Sequence, residues 1–81
     1  MTHLTEFWDA INTYMPRGKW VPLQVIYILI ERNILLDAED MEPQSPTSNL
    51  PKWNRNVRNV LQIRKDTREI QWNGKGYYLL P

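Results

Sequence analysis

Between Lys52 and Lys65 the chain carries Asn54, Arg55, Asn56, Arg58, Asn59 and Gln62, and no acidic residue. These side chains can make paired hydrogen bonds with nucleobase edges: the arginine fork suits guanine, and the amides of Asn and Gln suit adenine. At helical spacing Arg55, Arg58, Asn59 and Gln62 fall on one side. Trp53, Val57, Val60, Leu61 and the stem of Arg64 fall on the other. Asn54 and Asn56 flank the polar side near its start. A merely solvated face would be expected to include Glu, a favoured helix former. Asn54, Arg55, Arg58, Asn59 and Gln62 are therefore the candidates for base contact. Lys52, Asn56, Lys65, Arg68 and Lys75 are the candidates for phosphate, where a contact supplies register and affinity but carries no sequence information. Lys75 has two further readings, entry into a minor groove and a plain solubilising turn lysine.

No other group of residues supports chemistry as well. His3 is the only histidine and there is no cysteine, so no nucleophile-and-base constellation and no thiolate metal site is available. Asp37, Glu39, Asp40 and Glu42 form the one dense carboxylate group. They lack a glycine-bearing calcium-loop pattern and a second cluster for a two-metal site, and helix capping explains them. Gly74-Lys75-Gly76 turns between two strands, whereas a phosphate-binding loop opens a helix. The expectation is a protein that is not an enzyme and needs no cofactor.

Aromatic residues with basic neighbours can also stack on single strands. Trp8, Trp20, Trp53 and Tyr78 fall at positions expected to point inward. Tyr27 and Tyr77 are open in this respect, and Trp72 either packs or lies partly exposed near the turn.

The elements that must position these residues fit one small domain spanning 1–81. Eighty-one residues, 42% of them hydrophobic and 23% charged, are enough for a single core and too ordered in composition for a disordered chain. The longest apolar run, Val25 to Ile30, is far below the roughly 20 residues of a membrane span. The first nine residues include Glu6 and Asp9 and lack a basic start before an apolar block. A soluble, cytoplasmic domain with no membrane partner is expected. The net charge of +1 hides a polarity. Residues 1–50 hold Arg17, Lys19 and Arg32 against Glu6, Asp9, Glu31, Asp37, Glu39, Asp40 and Glu42, a net of −4. Residues 51–81 hold Lys52, Arg55, Arg58, Arg64, Lys65, Arg68 and Lys75 against Asp66 and Glu69, a net of +5. Such a division suits a basic face for a polyanion, the alternative being chance clustering on a solvated surface.

Leu4, Phe7, Trp8, Ile11, Tyr14 and Met15 form the stripe of a first helix, with Thr2 or Thr5 as its cap and Pro16 and Gly18 as its end. Trp20 and Val21 read as a short extended piece, because the residue before a proline avoids the helical region. Pro22 suits the first position of a second helix with the body LQVIYILIER. Ile34, Leu35 and Leu36 should pack back, and Asp37 to Asp40 should make a capped helical turn. The stretch from Glu42 to Pro51 reads as a loop. Pro51 opens a third helix that ends near Lys65-Asp66. Arg68 to Trp72 and Tyr77 to Leu80 read as strands about an Asn73–Gly76 turn. If Ile70, Trp72, Tyr78 and Leu80 share the inner face, paired positions sum to an even number and the loop has three residues.

Three helices, a short strand after the first and a C-terminal hairpin make an α+β, mostly helical chain of winged helix-turn-helix layout. The residues from Trp53 to Leu61, on through Ile70, and then Gly74-Lys75-Gly76-Tyr77-Tyr78-Leu79-Leu80 resemble that family. They look most like the modules accompanying Mrr-type restriction endonucleases, in which a "W…VR..L" helix runs into a "G.I…G.G.Y.L" hairpin. The resemblance covers essentially the whole chain. It implies that the third helix enters the major groove of double-stranded DNA and the hairpin wing lies on the phosphate backbone. The implied role is a transcription regulator or the specificity domain of a restriction or modification protein, with a homodimer expected by analogy. The alternative is a winged helix that binds proteins rather than DNA. Arg68-Glu69 stands where the family has a glycine, so the turn into the first wing strand needs another conformation.

Overall fold

Phe7, Trp8 and Ile11 recur at helical spacing, and they are the buried face of α1, Leu4–Tyr14, in the computed structural model, which describes all residues from Met1 to Pro81. Met15 continues that face into the core, while Leu4 and Tyr14 at the two ends stay exposed. Neither Thr2 nor Thr5 caps the helix. The N-cap is His3, without a side-chain bond. Thr2 is occupied elsewhere: its hydroxyl donates to Asp40 Oδ2 at 2.6 Å and its N–H to Asp40 Oδ1 at 2.9 Å.

Strand β1 is Trp20–Pro22 and α2 is Leu23–Asn33. Pro22 is the N-cap of α2 rather than its first helical residue, because its extended backbone still belongs to β1. Ile26 and Ile30 are the buried positions of α2; Val25 and Ile28 face solvent. Beyond α2, Ile34 and Leu36 pack on the core, but Leu35 between them is 97% exposed, since an extended chain turns alternate side chains outward.

Asp37 to Asp40 form hydrogen-bonded turns and no helix. Their acids do cap, but they cap each other: Asp40 N–H donates to Asp37 Oδ1 at 2.9 Å and Asp37 N–H to Asp40 Oδ2 at 3.1 Å. Asp40 is wholly buried and satisfied by these bonds and by Thr2. The loop then closes on itself at a neck, where Pro43 bridges Pro51 and Gln44 N–H donates to the Leu50 carbonyl.

Pro51 caps α3, Lys52–Asp66, whose buried face is Trp53, Val57, Val60 and Leu61 as the spacing predicts. The helix ends in a Schellman arrangement. Arg68 N–H donates to the Lys65 carbonyl at 3.0 Å and Glu69 N–H to the Arg64 carbonyl at 2.9 Å. This geometry needs a left-handed residue at position 68, and Arg68 supplies it with φ 64°. That is the other conformation which the missing glycine demands.

Strands β2, Gln71–Trp72, and β3, Tyr77–Leu79, are shorter than expected, because Arg68 to Ile70 complete the turn out of α3. Pairs Gln71–Leu79 and Trp72–Tyr78 give the even register. The three-residue loop Gly74-Lys75-Gly76 follows, closed by Asn73 N–H to the Tyr77 carbonyl at 3.1 Å. Asn73 Oδ1 accepts from the Lys75 and Tyr77 N–H groups, and positive φ at Gly74 and Gly76 makes the turn possible without strain. The sheet is antiparallel in the order β1-β3-β2, with Trp20 opposite Leu79 and Pro22 opposite Tyr77. Its inner face carries Val21, Ile70 and Leu80, all buried against the three helices. Trp20 therefore points outward, because Val21 takes the inner position; it is 45% exposed. No helix is long and apolar enough to cross a membrane.

Candidate nucleic-acid interface

Burial of Trp53, Val57 and Leu61 fixes the rotation of α3, and the same rotation sends Arg55, Arg58, Asn59 and Gln62 to solvent over an arc of about 100°. Arg55 and Asn59 make no side-chain hydrogen bond and no ion pair, so their donors and acceptors face water alone. Arg58 donates from Nη2 to Gln44 Oε1 at 3.3 Å, which leans it toward the loop. Gln62 donates to Asp66 at 3.3 Å. Asp66 shares the arc, so the acid-free stretch ends one turn beyond its centre.

Asn54 and Asn56 are half-buried and lie to either side of this arc. Asn54 rests against the Tyr27 hydroxyl on α2. Burial raises the Tyr27 pKa above its ordinary value, while the Arg58 charge and the Asn54 contact oppose the rise. Burial likewise raises Tyr78, and the Arg58 charge opposes the rise.

The cations named for phosphate divide in two. Lys52 pairs with Glu42 at 3.0 Å, and Lys65 pairs with Asp66 at 3.7 Å while its ammonium sits 4.9 Å above the Trp72 ring. These ion pairs are exposed and weak, so a phosphate can compete for either cation. Arg68 and Lys75 have no acidic partner and are exposed at the two ends of the path from α3 into the hairpin. Arg64 serves the fold instead. Its guanidinium lies 5.0 Å over Trp8 and donates to Glu69 at 2.7 Å. That hydrogen bond, with a second from Thr67, holds the Glu69 carboxyl below its ordinary pKa.

A helix N-terminus can itself bind an anion, but that of α3 is occupied. Lys52 N–H donates to the Glu42 carbonyl at 2.7 Å and Trp53 N–H to the Asp40 carbonyl at 3.1 Å. Any anion recognition by α3 thus rests on its side chains.

Gln44 is the residue sequence reasoning missed here, and Trp20, expected to point inward, is exposed instead. Nothing local marks Gln44, because its contact with Arg58 depends on how the loop folds back. No family model matches the chain, and no curated protein and no solved structure matches it.

Proposed function

We propose that the chain is a double-stranded-DNA-binding module of winged-helix type, with α3 in the major groove and the β2–β3 hairpin on the phosphate backbone. The order α1-β1-α2-α3-β2-β3, with β3 between β1 and β2, supports this layout. The observation that carries the reading is the outward face of α3. Arg55 and Asn59, suited to guanine and adenine edges, stand there without intramolecular partners on a helix whose opposite side is locked in the core. Arg55, Arg58, Arg68 and Lys75 carry no ion pair and are the phosphate and base contacts of first resort. In a cell the module acts in the cytoplasm as a regulator or as the specificity domain of a restriction or modification protein, and a homodimer would read a two-fold site.

The test is a duplex titration across salt concentrations. Four neutralised phosphates give a slope of log affinity against log salt of about −3.6. Affinity that does not change with salt overturns the proposal. A second reading, a protein-binding winged helix, draws on Tyr14, Val25 and Ile28, which form an exposed apolar strip along α1 and α2. It requires duplex affinity to be absent and a partner to be displaced by charge substitutions on that strip.

A further inference from the structure

The outer face of the sheet looks away from the helices, and neither of its two exposed rings, Trp20 and Tyr77, is used in that reading. Alternation places Trp20 and Pro22 of β1, Tyr77 and Leu79 of β3 and Gln71 of β2 on it. Trp20 is 45% exposed and Tyr77 is 43% exposed. Neither ring has an aromatic partner: the one ring pair in the molecule is Tyr27 with Trp53, on the other side of the sheet. Trp20 is opposite Leu79 and Tyr77 is opposite Pro22, so the two aromatics are diagonal neighbours across β1 and β3. Diagonal neighbours in an antiparallel pair stand about 7 Å apart. The two rings make no pair with each other, so both have a free face for a flat ring.

Charge selects the occupant. The segments that build the sheet, residues 17–22 and 70–81, contain Arg17, Lys19 and Lys75 and no acidic residue. Lys19 lies in the bend at the start of β1, at the rim of this face, and Lys75 sits two residues before Tyr77 at the hairpin tip; both are exposed and unpaired. A second copy laid face to face on this surface would bring like charges together. A strand of unpaired nucleotides supplies flat bases for the rings and phosphates for the lysines.

We propose that the outer face of the sheet binds single-stranded nucleic acid, with a base stacked at Trp20 and Tyr77 and the backbone held by Lys19 and Lys75. The stacking rings are separate from Arg55 and Asn59 of α3, while Lys75 at the hairpin tip would serve either kind of strand. Every base has a ring face, so binding through stacking is tolerant of sequence, unlike contact through Arg55 and Asn59.

The experiment measures fluorescence anisotropy of a labelled oligothymidylate and of a labelled duplex on the full chain. It uses wild type, Trp20→Leu, Tyr77→Leu and Arg55→Ala. Leucine keeps apolar area on the half-exposed strand and removes the stacking ring, and each variant's circular dichroism is checked for native helix content. Loss of either ring is expected to weaken oligothymidylate binding by roughly tenfold or more, and Trp20→Leu, which lies off the hairpin, is expected to leave the duplex affinity within twofold. Arg55→Ala is expected to do the reverse. No oligothymidylate binding by wild type, or unchanged affinity in both folded leucine variants, overturns the inference. So does wild-type self-association that Trp20→Leu abolishes, which would give the face to a second copy. A failure of duplex binding alone leaves the sheet-face result standing and bears only on the α3 reading.

Discussion

Substituting glycine for Arg68 relieves the one left-handed non-glycine residue in the chain, at φ 64°. An L-residue there costs roughly 1–2 kcal/mol through the clash of Cβ with the following carbonyl. Glycine removes that clash but adds about 0.5–1 kcal/mol of unfolded-state freedom. The Arg68 side chain makes no hydrogen bond or ion pair, so its loss has no further cost in the free protein. The net gain is about 0.5–1 kcal/mol. A domain of 81 residues unfolds with an entropy of about 0.17 kcal/mol/K, so Tm rises by about 3–6 °C. Thermal unfolding followed by circular dichroism measures this directly. Arg68→Ala is the control: it removes the charge but keeps Cβ, and its Tm should stay within about a degree of wild type. A rise in the alanine variant equal to that in glycine would trace the effect to charge, and a fall in the glycine variant would refute the strain argument. Both variants lose one cation from the wing approach, so each should flatten the salt slope of duplex binding by about 0.9. The glycine variant would then be more stable and bind less well.

Arg55→Ala should cost about 1–3 kcal/mol of duplex affinity and relax base preference at one position, whereas Lys75→Ala should weaken all sequences alike; competition binding with randomised sites separates the two. Asp40→Ala strands the Thr2 hydroxyl and the Thr2 and Asp37 N–H groups, and should lower urea-unfolding stability by about 2 kcal/mol. Glu69 is held below its ordinary carboxyl pKa in the folded chain, so its contribution is present at neutral pH and lost as pH falls below the usual range of about 4.5. Glu69→Gln should remove that part of the acid slope in a stability profile measured from pH 7 to pH 3. Tyr27 runs in the opposite sense: its raised pKa stabilises the fold up to about 10, and the gain disappears as pH climbs through the folded value. Tyr27→Phe should flatten the alkaline limb.

The helices were legible from a three-to-four-residue apolar rhythm, joined in α2 and α3 by a proline start, as in Pro51 followed by Trp53, Val57, Val60 and Leu61. The hairpin register was legible because Ile70, Tyr78 and Leu80 need one face and parity does the rest. Trp20 was misread because a three-residue strand has too few positions for alternation to choose a face. Its pattern position was read as inward, but pairing with Tyr78 put Val21 there. Asp40 and Thr2 are 38 residues apart, and no local pattern announces a contact of that span. On α3 the solvent-facing side of Arg55 and Asn59 followed from the apolar rhythm. The attachment of Lys52 to Glu42 and of Arg58 to Gln44 did not, since both come from the path of the loop.

The neck at Pro43 and Pro51 makes the segment between them a separate annex. Its ends are clasped, and the hydrogen bonds that seat the start of α3 come from Asp40 and Glu42, before the annex begins. Extra residues spliced in between Ser45 and Asn49 would therefore enlarge the annex without turning the helix beside it, and each doubling of its length would add only about 0.6 kcal/mol of closure entropy. This is the place on the molecule to graft a tag, a fluorophore loop or a second module while the faces of α3 and the sheet keep their aim.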